Sequence, residues 1–298
     1  MLSLSMIVRN EATCLGGCLA SASTFVDEIV ILDTGSTDST VSIAKSYGAR
    51  VEHLQWPGDF APARNAALKL VKGDWVLVLD ADEQLRSECI PELRSLIAKD
   101  DLLVVNLLRY EKGASMSPYS MVSRLFRNHP NIYWNRPYHS MIDDSVKDLL
   151  HDEPHWCIGE CTEPALIHDG YRPDLLQKGN KGQRLKSSMQ TWLAEHPDDT
   201  YCRAKLGAIE IEEGRTENGL KILREGLEIN AKTNLNPNER YELLLHLGIG
   251  LTLKDPHAAI SAYREALAIP ISQRLTLGAR LNLAGLLMGQ GNLNEAIN

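Results

Sequence analysis

The sequence predicts an α/β domain with a mostly parallel sheet, followed by an all-α domain built from helical repeats. Three observations support this prediction. Short apolar runs alternate with helical segments through the first half of the chain, two aspartates directly follow one of those runs, and a helix-pair pattern recurs near the carboxyl end. Strands that alternate with helices over short connections form right-handed βαβ units on a parallel sheet.

Length and composition are those of a soluble globular protein. The 298 residues suffice for about two domains, and 44% hydrophobic residues allow a sizeable core. A net charge of -8 argues against a broad nucleic-acid-binding surface. The first residues lack the basic start of a secretory signal, and no run approaches the ~18 apolar residues that span a bilayer. We therefore predict a cytoplasmic protein with no transmembrane segment and no nucleic-acid partner.

Two strand–helix units open the chain. The apolar run from Leu2 to Val8 predicts the first strand, and RNEA after it leads into a helix that ends near Ser23. Ile29 to Leu32 predicts a second buried strand. A helix to about Tyr47 and a short third strand follow.

The turn after the second strand reads DTGSTD. Gly35 permits a tight backbone path, and Ser36 or Thr37 can cap the next helix, whose first N–H groups can bind a phosphate. Asp33 stands at the end of the strand, where its carboxylate can accept hydrogen bonds from a ribose or a base edge. The alternative is a capped turn without a ligand.

The run from Trp75 to Leu79 predicts a strand buried on both faces, and Asp80 and Asp82 follow it. Side chains alternate along a strand, so we expect both carboxylates on the same side. Open α/β sheets bind ligands outside the carboxyl ends of their strands, and two carboxylates there can hold Mg²⁺ or Mn²⁺. The alternative is an acid pair that only ends the strand and caps the next helix.

Four stretches before residue 84 occur in a distinctive order: LSMIVRNEA, VDEIVILDTGSTDSTVSIAKSYGA, DFAPARNAAL and GDWVLVLDADE. Together they resemble the family 2 glycosyltransferases of the GT-A fold. The resemblance implies a metal-dependent, inverting glycosyltransferase of hexosyltransferase type. Its donor would be a nucleotide-diphospho-sugar, most often a UDP-sugar, and it would form no covalent enzyme intermediate.

The resemblance also implies which residues bind the donor and the metal. The first-strand segment and Asp33 would line the base and ribose, and Arg64 would contact the diphosphate. The donor-binding residues assigned in this way are Val8, Asn10, Glu11, Asp33, Gly35, Ser36, Arg64, Asn65 and Asp80. The metal ligands for Mn²⁺ or Mg²⁺ are Asp80, Asp82 and His168. His168 comes from a stretch similar to the H-x-G-Y segment that closes the catalytic domain in relatives; the alternative is a structural histidine.

The acceptor side departs from the family. SRLFRN, at residues 123–128, resembles a strand that relatives follow with a histidine–glutamate pair, the proposed base. The matching place here is Tyr138-His139-Ser140, so the glutamate is missing. His139, Asp143 and Asp144 are the substitute candidates, and the alternative is that they are loop residues without a proton-transfer role. We expect residues 152–164 to form an irregular loop over the acceptor site.

The second domain is predicted to be a row of helix pairs. We place the GT-A domain at residues 1–171 and the helical linker and repeats at 172–298. Similar segments align at Leu206-Gly207, Leu247-Gly248 and Leu283-Ala284, in steps of 41 and 36 residues, close to the roughly 34 of a tetratricopeptide (TPR) repeat. The last repeat stops within its second helix, so we expect the array to continue.

Two functions from different classes remain open. A TPR groove beside an active site favours a peptide or protein partner, which would also suit a glycosyltransferase with a protein acceptor. The alternative is a TPR scaffold whose GT-A domain binds nucleotide without transferring sugar. The missing histidine–glutamate pair favours the scaffold, whereas the presence of Asp33, Arg64, Asp80 and Asp82 favours the enzyme.

Overall fold

The computed structural model describes residues 1–114, 118–137, 140–169, 181–233 and 236–297. These residues form two compact units. The first contains residues 1–113, 119–137 and 140–169, and the second contains residues 181–233 and 236–297 together with Ala114 and Pro118. The predicted boundary between residues 171 and 172 falls in the gap at 170–180 and so lies outside the described residues.

The first unit alternates strands and helices in its first half, as the apolar pattern predicts. In chain order its elements are β1 (Leu2–Val8), α1 (Leu15–Ala22), β2 (Glu28–Asp33), α2 (Thr40–Ser46), β3 (Arg50–His53), α3 (Phe60–Leu68), β4 (Trp75–Val78), β5 (Glu83–Leu85), α4 (Ile90–Ile97), β6 (Leu102–Glu111), β7 (Tyr119–Arg127), α5 (Asp143–Asp152) and β8 (Cys157–His168).

The strands form one sheet in the order β3-β2-β1-β4-β7-β6-β8-β5. The half made of β1 to β4 is parallel wherever its strands pair. In the other half β7 runs antiparallel to both β4 and β6, and β8 pairs parallel with β6 and antiparallel with β5. The predicted α/β sheet is confirmed, and its second half is more strongly antiparallel than the apolar pattern indicated.

The sheet is covered on both faces, which explains the continuous apolar runs of its central strands. One hydrophobic cluster joins Leu4 and Leu77 of the sheet to Leu19 of α1 and Leu93 of α4. A second cluster joins Val76 to residues of α3 and α5. The first cluster packs against β1 and β4 and the second against β4, so the loops at the carboxyl ends of these strands start from well-packed positions.

Strand β8 shows that the expected irregular loop at residues 152–164 was wrong in part. It begins at Cys157 and therefore occupies much of the stretch that we expected to be an irregular loop. Its polar residues and Pro164 hide the strand pattern, and the register between β8 and β6 shifts at three places. Pairing with β6 on one side and β5 on the other satisfies the backbone of this segment despite its composition.

The second unit consists of helices joined by short turns. Its described elements are α6 (Lys181–Glu195), α7 (Thr200–Glu212), α8 (Thr216–Thr233), α9 (Pro237–Leu251), α10 (Pro256–Leu267), α11 (Leu277–Gly289) and α12 (Leu293–Ile297). Asp199 and Asp255 cap α7 and α10 by accepting backbone N–H groups at 2.8 and 3.0 Å. Across the described residues, no helix is sufficiently long and apolar for a membrane span.

The aligned small residues of the repeats lie at close helix contacts. A Cβ atom on Gly207 would stand 2.6 Å from Leu223, and one on Gly248 would stand 2.5 Å from the ring of Tyr263. Each glycine lies on the first helix of a pair and each partner on the second. The predicted helix-pair arrangement is therefore confirmed, and its equivalent glycines allow the two helices to approach closely.

Gly248→Ala is expected to destabilise the second unit by about 1–3 kcal/mol, the typical cost of overpacking a core. The added methyl group would overlap the Tyr263 ring, which is itself fully buried. The matched control is Gly285→Ala on α11, where a Cβ meets nothing within 4 Å; alanine should stabilise that helix by up to ~1 kcal/mol. Urea unfolding followed by helical circular dichroism measures both, and similar effects at the two glycines would contradict the packing argument.

Candidate active site

The loops after β1 and β2 are joined by hydrogen bonds. The Asn10 N–H donates to Ser36 Oγ at 2.9 Å, and the Thr37 N–H donates to Asn10 Oδ1 at 2.7 Å. Asn10 has a φ of 56° and Gly35 a φ of 106°, and asparagine and glycine are the residues that tolerate this left-handed region. Three predicted donor-binding residues thus form one rim just beyond Val8, the buried last residue of β1.

Asp33 lies beneath this rim, with a side chain only 4% exposed. Its Oδ2 accepts the N–H groups of Gly35 and Ser36, both at 3.1 Å, and lies 3.3 Å from His53 Nδ1. Burial opposes the charged form, but the hydrogen bonds from Ser36, Gly35 and His53 outweigh it and lower the pKa of Asp33. Asp33 is therefore ionised, while His53 is 64% exposed at the end of β3. The backbone of Glu11, also predicted to bind donor, is held by Thr40 Oγ1 at 2.8 Å.

Asp80 lies in a turn and not on the strand. β4 ends at Val78, the Asp80 N–H donates to Glu83 Oε2 at 2.8 Å, and the Glu83 N–H donates back to Asp80 O at 3.0 Å. The expected strand alternation therefore does not determine where Asp80 and Asp82 point. Their carboxylates instead contact different partners.

Two arginines bind the Asp80 carboxylate. Arg64 Nη2 lies 2.6 Å from Oδ1 and Arg124 Nη2 lies 2.8 Å from Oδ2. Both guanidinium groups also stand over the ring of Trp134, at 4.7 and 5.7 Å from its centroid. Burial opposes ionisation of Asp80, but Arg124 and Arg64 outweigh it and hold the pKa of Asp80 well below its usual range.

The group formed by Arg64, Arg124 and Asp80 carries a net positive charge, and some of its N–H donors lack a partner within the described residues. Two guanidinium groups against one carboxylate leave a net charge of one. Arg64 Nε and Arg124 Nη1 are buried and have no hydrogen-bond partner in the described part of the chain. Buried donors of this kind are normally satisfied, so the arrangement suits an anionic ligand.

Asn65 fixes the aromatic side of this group. Its Nδ2 donates to Trp134 O at 2.9 Å, and its Oδ1 accepts the Trp134 N–H at 2.7 Å. Asn65 therefore holds the segment that carries the ring beneath the arginines. Its predicted contact with the donor stays a prediction.

Asp82 contacts His168, the histidine predicted to complete the metal site. His168 Nε2 lies 3.4 Å from Asp82 Oδ2, and its Nδ1 lies 2.6 Å from Glu111 Oε2. Burial would lower the pKa of His168, but hydrogen bonds with Asp82 and Glu111 raise it to about 9. Within the ranges that the structure describes, three or more acidic, histidine or cysteine side chains do not converge as metal ligands. Asp82 and His168 are thus brought together, and the Asp80 carboxylate is bound by arginines.

A β-bulge shapes the acceptor side. Val105 pairs with Leu125 and Leu107 pairs with Val122, so Asn106 alone stands opposite Ser123 and Arg124. Bulges redirect side chains and are frequent next to active sites. Here Arg124 contacts Asp80. The Oγ atom of the neighbouring Ser123 lies 3.1 Å from Asp143 Oδ1 and 3.0 Å from Asn106 Oδ1.

Asp143 and Asp144 begin α5, so they are not the loop residues of the alternative interpretation, and they have different surroundings. Arg136 binds both oxygens of Asp144, with Nε and Nη2 each 3.1 Å away. Asp143 reaches solvent and has only the Ser123 hydroxyl at hydrogen-bond distance among the side-chain contacts found. Partial dehydration and the nearby Asp144 raise the pKa of Asp143 despite the Ser123 hydrogen bond. His139, the third candidate, lies outside the described residues.

Comparison with known proteins assigns the family. Residues 3–163, more than half of the chain, match the model of Glycosyl transferase family 2. The chain belongs to this family.

Two relatives extend the comparison of this family 2 protein. A TPR repeat-containing protein of Synechococcus elongatus is 44% identical over 295 residues, which are 99% of this chain and 72% of that one. An uncharacterized glycosyltransferase of Rickettsia felis is 30% identical over 218 residues, 64% of this chain and 76% of its own. The crystal structure of S. aureus TarS in complex with UDP-GlcNAc covers 97% of this chain and 92% of that one, with a TM-score of 0.48 and 17% identity.

The first unit of this family 2 protein has the GT-A fold, and its class is glycosyltransferase. The helical region follows it in the chain. The fold and the class of enzyme agree with what the four sequence motifs imply.

Prediction from the sequence missed several residues of the family 2 site, among them Arg124, Arg109, Glu111 and His53. Arg124 lies in the recognised SRLFRN segment, but without the bulge its direction could not be inferred. Arg109 and Glu111 were recognisable as two charges on the same side of an otherwise apolar strand, LLVVNLLRYE. Nothing in the sequence around His53 indicates its contact with Asp33.

Proposed function

We propose that the chain transfers a hexosyl group, with inversion, from a nucleotide-diphospho-sugar to an acceptor, with a UDP-sugar as donor. The observation that supports this most is the pair of guanidinium groups of Arg64 and Arg124 on Asp80, next to the contact between Asp82 and His168. Two guanidinium groups on one carboxylate, with buried N–H donors that lack a partner in the described part of the chain, suit a diphosphate. Family membership supports the reaction class.

On the donor side, Asp33, Asn10 and Ser36 would contact the ribose and base. Arg64 and Arg124 would bind the diphosphate, and Asp80 would hold the two guanidinium groups in place. Their positive charge would stabilise the nucleoside diphosphate as the bond to the anomeric carbon breaks. Trp134 supports both arginines from below and excludes water from one side.

The residues present fit a divalent cation. Asp82 offers a carboxylate oxygen and His168 an imidazole nitrogen, which are ligand types that Mn²⁺ accepts. The other His168 nitrogen is already bound by Glu111, as is usual for a metal-binding histidine. Asp82 and His168 would hold the ion, with Asp80 near by. The ion would help to neutralise the leaving diphosphate.

On the acceptor side, we assign the proton acceptor to Asp143. A carboxylate whose pKa is raised is the better base near neutral pH, and Asp143 has this property whereas Asp144 is committed to Arg136. The Ser123 hydroxyl orients Asp143, and Ser123 directly precedes the Arg124 that binds Asp80.

The helix pairs of the second unit would be TPR repeats that bind a peptide or protein. On α7 and α9, Lys205 Nζ lies 2.6 Å from Glu242 Oε2, and Lys205 also stands over the Tyr201 ring. His246 Nε2 lies 3.5 Å from the same carboxylate oxygen of Glu242. Equivalent helices thus carry charged and aromatic side chains side by side, and aromatic side chains are enriched at protein interfaces.

Calorimetric titration of UDP and of GDP, with and without Mn²⁺, tests the donor proposal. We expect UDP to bind more tightly than GDP and only weakly without Mn²⁺. Asp82→Ala should weaken the metal-dependent binding by at least the roughly 10- to 100-fold that loss of a supporting residue costs in metal sites. The matched control is Asp74→Ala, a 75% exposed aspartate just before the amino end of β4.

Two outcomes would contradict the proposal. If neither nucleotide bound, the chain would lack a donor site and the scaffold function would replace the transferase. If Asp74→Ala weakened binding as much as Asp82→Ala, the loss would be structural and the D-x-D would not be the donor site.

A further inference from the structure

Arg109 lies between two buried carboxylates beneath the site. Its Nη1 is 2.6 Å from Glu83 Oε1, and its Nε is 2.8 Å from Glu111 Oε1. The Glu83 side chain is fully buried, that of Glu111 is 6% exposed and that of Arg109 is 17% exposed. Ser120 donates a further hydrogen bond to Glu111.

Each carboxylate uses its second oxygen on a different part of the site. Glu83 Oε2 accepts the backbone N–H of Asp80 at 2.8 Å and so fixes the D-x-D turn. Glu111 Oε2 lies 2.6 Å from His168 Nδ1. An imidazole N–H donates to a carboxylate oxygen at such a distance, which assigns the proton of this hydrogen bond to Nδ1.

We propose that Arg109 is a positioning residue that sets the D-x-D turn and the His168 ring relative to each other. The inference rests on the proposed function of the site. Arg109 touches neither Asp82 nor the arginines on Asp80 in the contacts of the described residues; it acts through Glu83 and Glu111. One rigid guanidinium group can bind two carboxylates at fixed angles, which a lysine ammonium on a flexible stem cannot reproduce.

The location of Arg109, Glu83 and Glu111 indicates that these charged residues serve the site and do not simply fill the core. Apart from Asn106, β6 is apolar up to this point, and buried ion pairs seldom add stability over well-packed apolar residues. Here the charges support the two features that the donor site needs, the Asp80 turn and the orientation of the His168 ring. Outer-shell partners of this kind fix the ring orientation of metal-binding histidines.

Arg109→Lys tests the inference because it keeps the charge and removes the fixed geometry. Mn²⁺ affinity, measured by the electron paramagnetic resonance signal of free Mn²⁺, is expected to fall about 10- to 100-fold. The matched control is Arg127→Lys on β7, whose Nε donates to Leu102 O at 2.7 Å and whose guanidinium stands over Trp75. It should leave Mn²⁺ affinity unchanged within about twofold. Circular dichroism checks that both variants fold.

A double-mutant cycle with Glu111→Gln separates positioning from a general loss of structure. If Arg109 acts through Glu111, the two substitutions affect one feature, and the double variant should bind Mn²⁺ about as weakly as the weaker single variant. Effects that add fully would overturn the inference. So would a folded Arg109→Lys variant with wild-type affinity.

A second readout does not depend on metal or nucleotide. In the metal-free protein, the proton on His168 Nδ1 should give a downfield NMR signal because of its short hydrogen bond to Glu111. Arg109→Lys should shift or broaden this signal, and Arg127→Lys should not. A signal unchanged in Arg109→Lys would overturn the inference. If the wild type bound neither Mn²⁺ nor UDP, the proposed function would fail while this signal would still test the role of Arg109.

Discussion

Replacing Asp143 with asparagine is expected to lower kcat by roughly 10²- to 10⁴-fold, the usual contribution of a general base. Asparagine keeps the shape and the contact with Ser123 but cannot accept the acceptor's proton. Donor affinity should remain near that of the wild type because Arg64 and Arg124 are untouched. The measurement is UDP release from the donor under saturating conditions, first with water as acceptor and then with candidate peptides.

The pH profile gives an independent check of Asp143. A base must be deprotonated to act, so kcat of the wild type should fall as pH drops through the pKa of Asp143, which lies above the usual value for aspartate. The residual activity of Asp143→Asn should lack this acidic limb. An unchanged limb in the variant would assign the limb to another group.

Asp144→Asn is the matched control on the same helix turn. It removes the charge that Arg136 binds with both nitrogens, so we expect lower stability, by about 1.5–3 kcal/mol for the loss of a hydrogen bond between charged groups, with kcat near wild type. If Asp143→Asn retained kcat, or if both variants lost it equally, the assignment would be wrong and His139 would become the next candidate.

The parallel half of the sheet was predictable because burial on both faces leaves a signal in the sequence. β1 coincides with the predicted run from Leu2 to Val8. β8 was not predicted because its polar residues and Pro164 interrupt the pattern, and its backbone is satisfied by neighbours far away in sequence. The hydrophobic pattern of one segment does not show which distant strands that segment pairs with.

The residues of the site could be predicted only in part for the same reason, because contacts between distant strands leave no pattern in one segment. Residues within one motif, such as Asp33 with Gly35 and Ser36, could be placed from their spacing alone. Arg124 and Glu111 come from strands that are separate from the D-x-D in the sequence, and their contacts depend on register. The one-residue bulge at Asn106 decides where Ser123 and Arg124 point, and a register change of one residue reverses a strand's faces.

Glu83→Ala is expected to lower the free energy of unfolding of the first unit by about 3–5 kcal/mol, the cost of removing one partner from a buried ion pair. The carboxylate of Glu83 is fully buried, binds Arg109, and accepts the Asp80 N–H. Its loss leaves part of the Arg109 charge uncompensated and one buried N–H without an acceptor. Urea unfolding followed by tryptophan fluorescence reports on this unit through Trp75 and Trp134.

Glu88→Ala is the matched control, five residues later in the chain. Glu88 is 69% exposed and lies 3.7 Å from Arg86 Nε, so its removal should change stability by no more than ~0.5 kcal/mol. Glu83→Gln should recover part of the loss because its amide oxygen can still accept the Asp80 N–H. If Glu83→Ala were as mild as Glu88→Ala, the buried charges would contribute little to the fold, and any loss of Mn²⁺ binding in the variant would come from the changed turn alone.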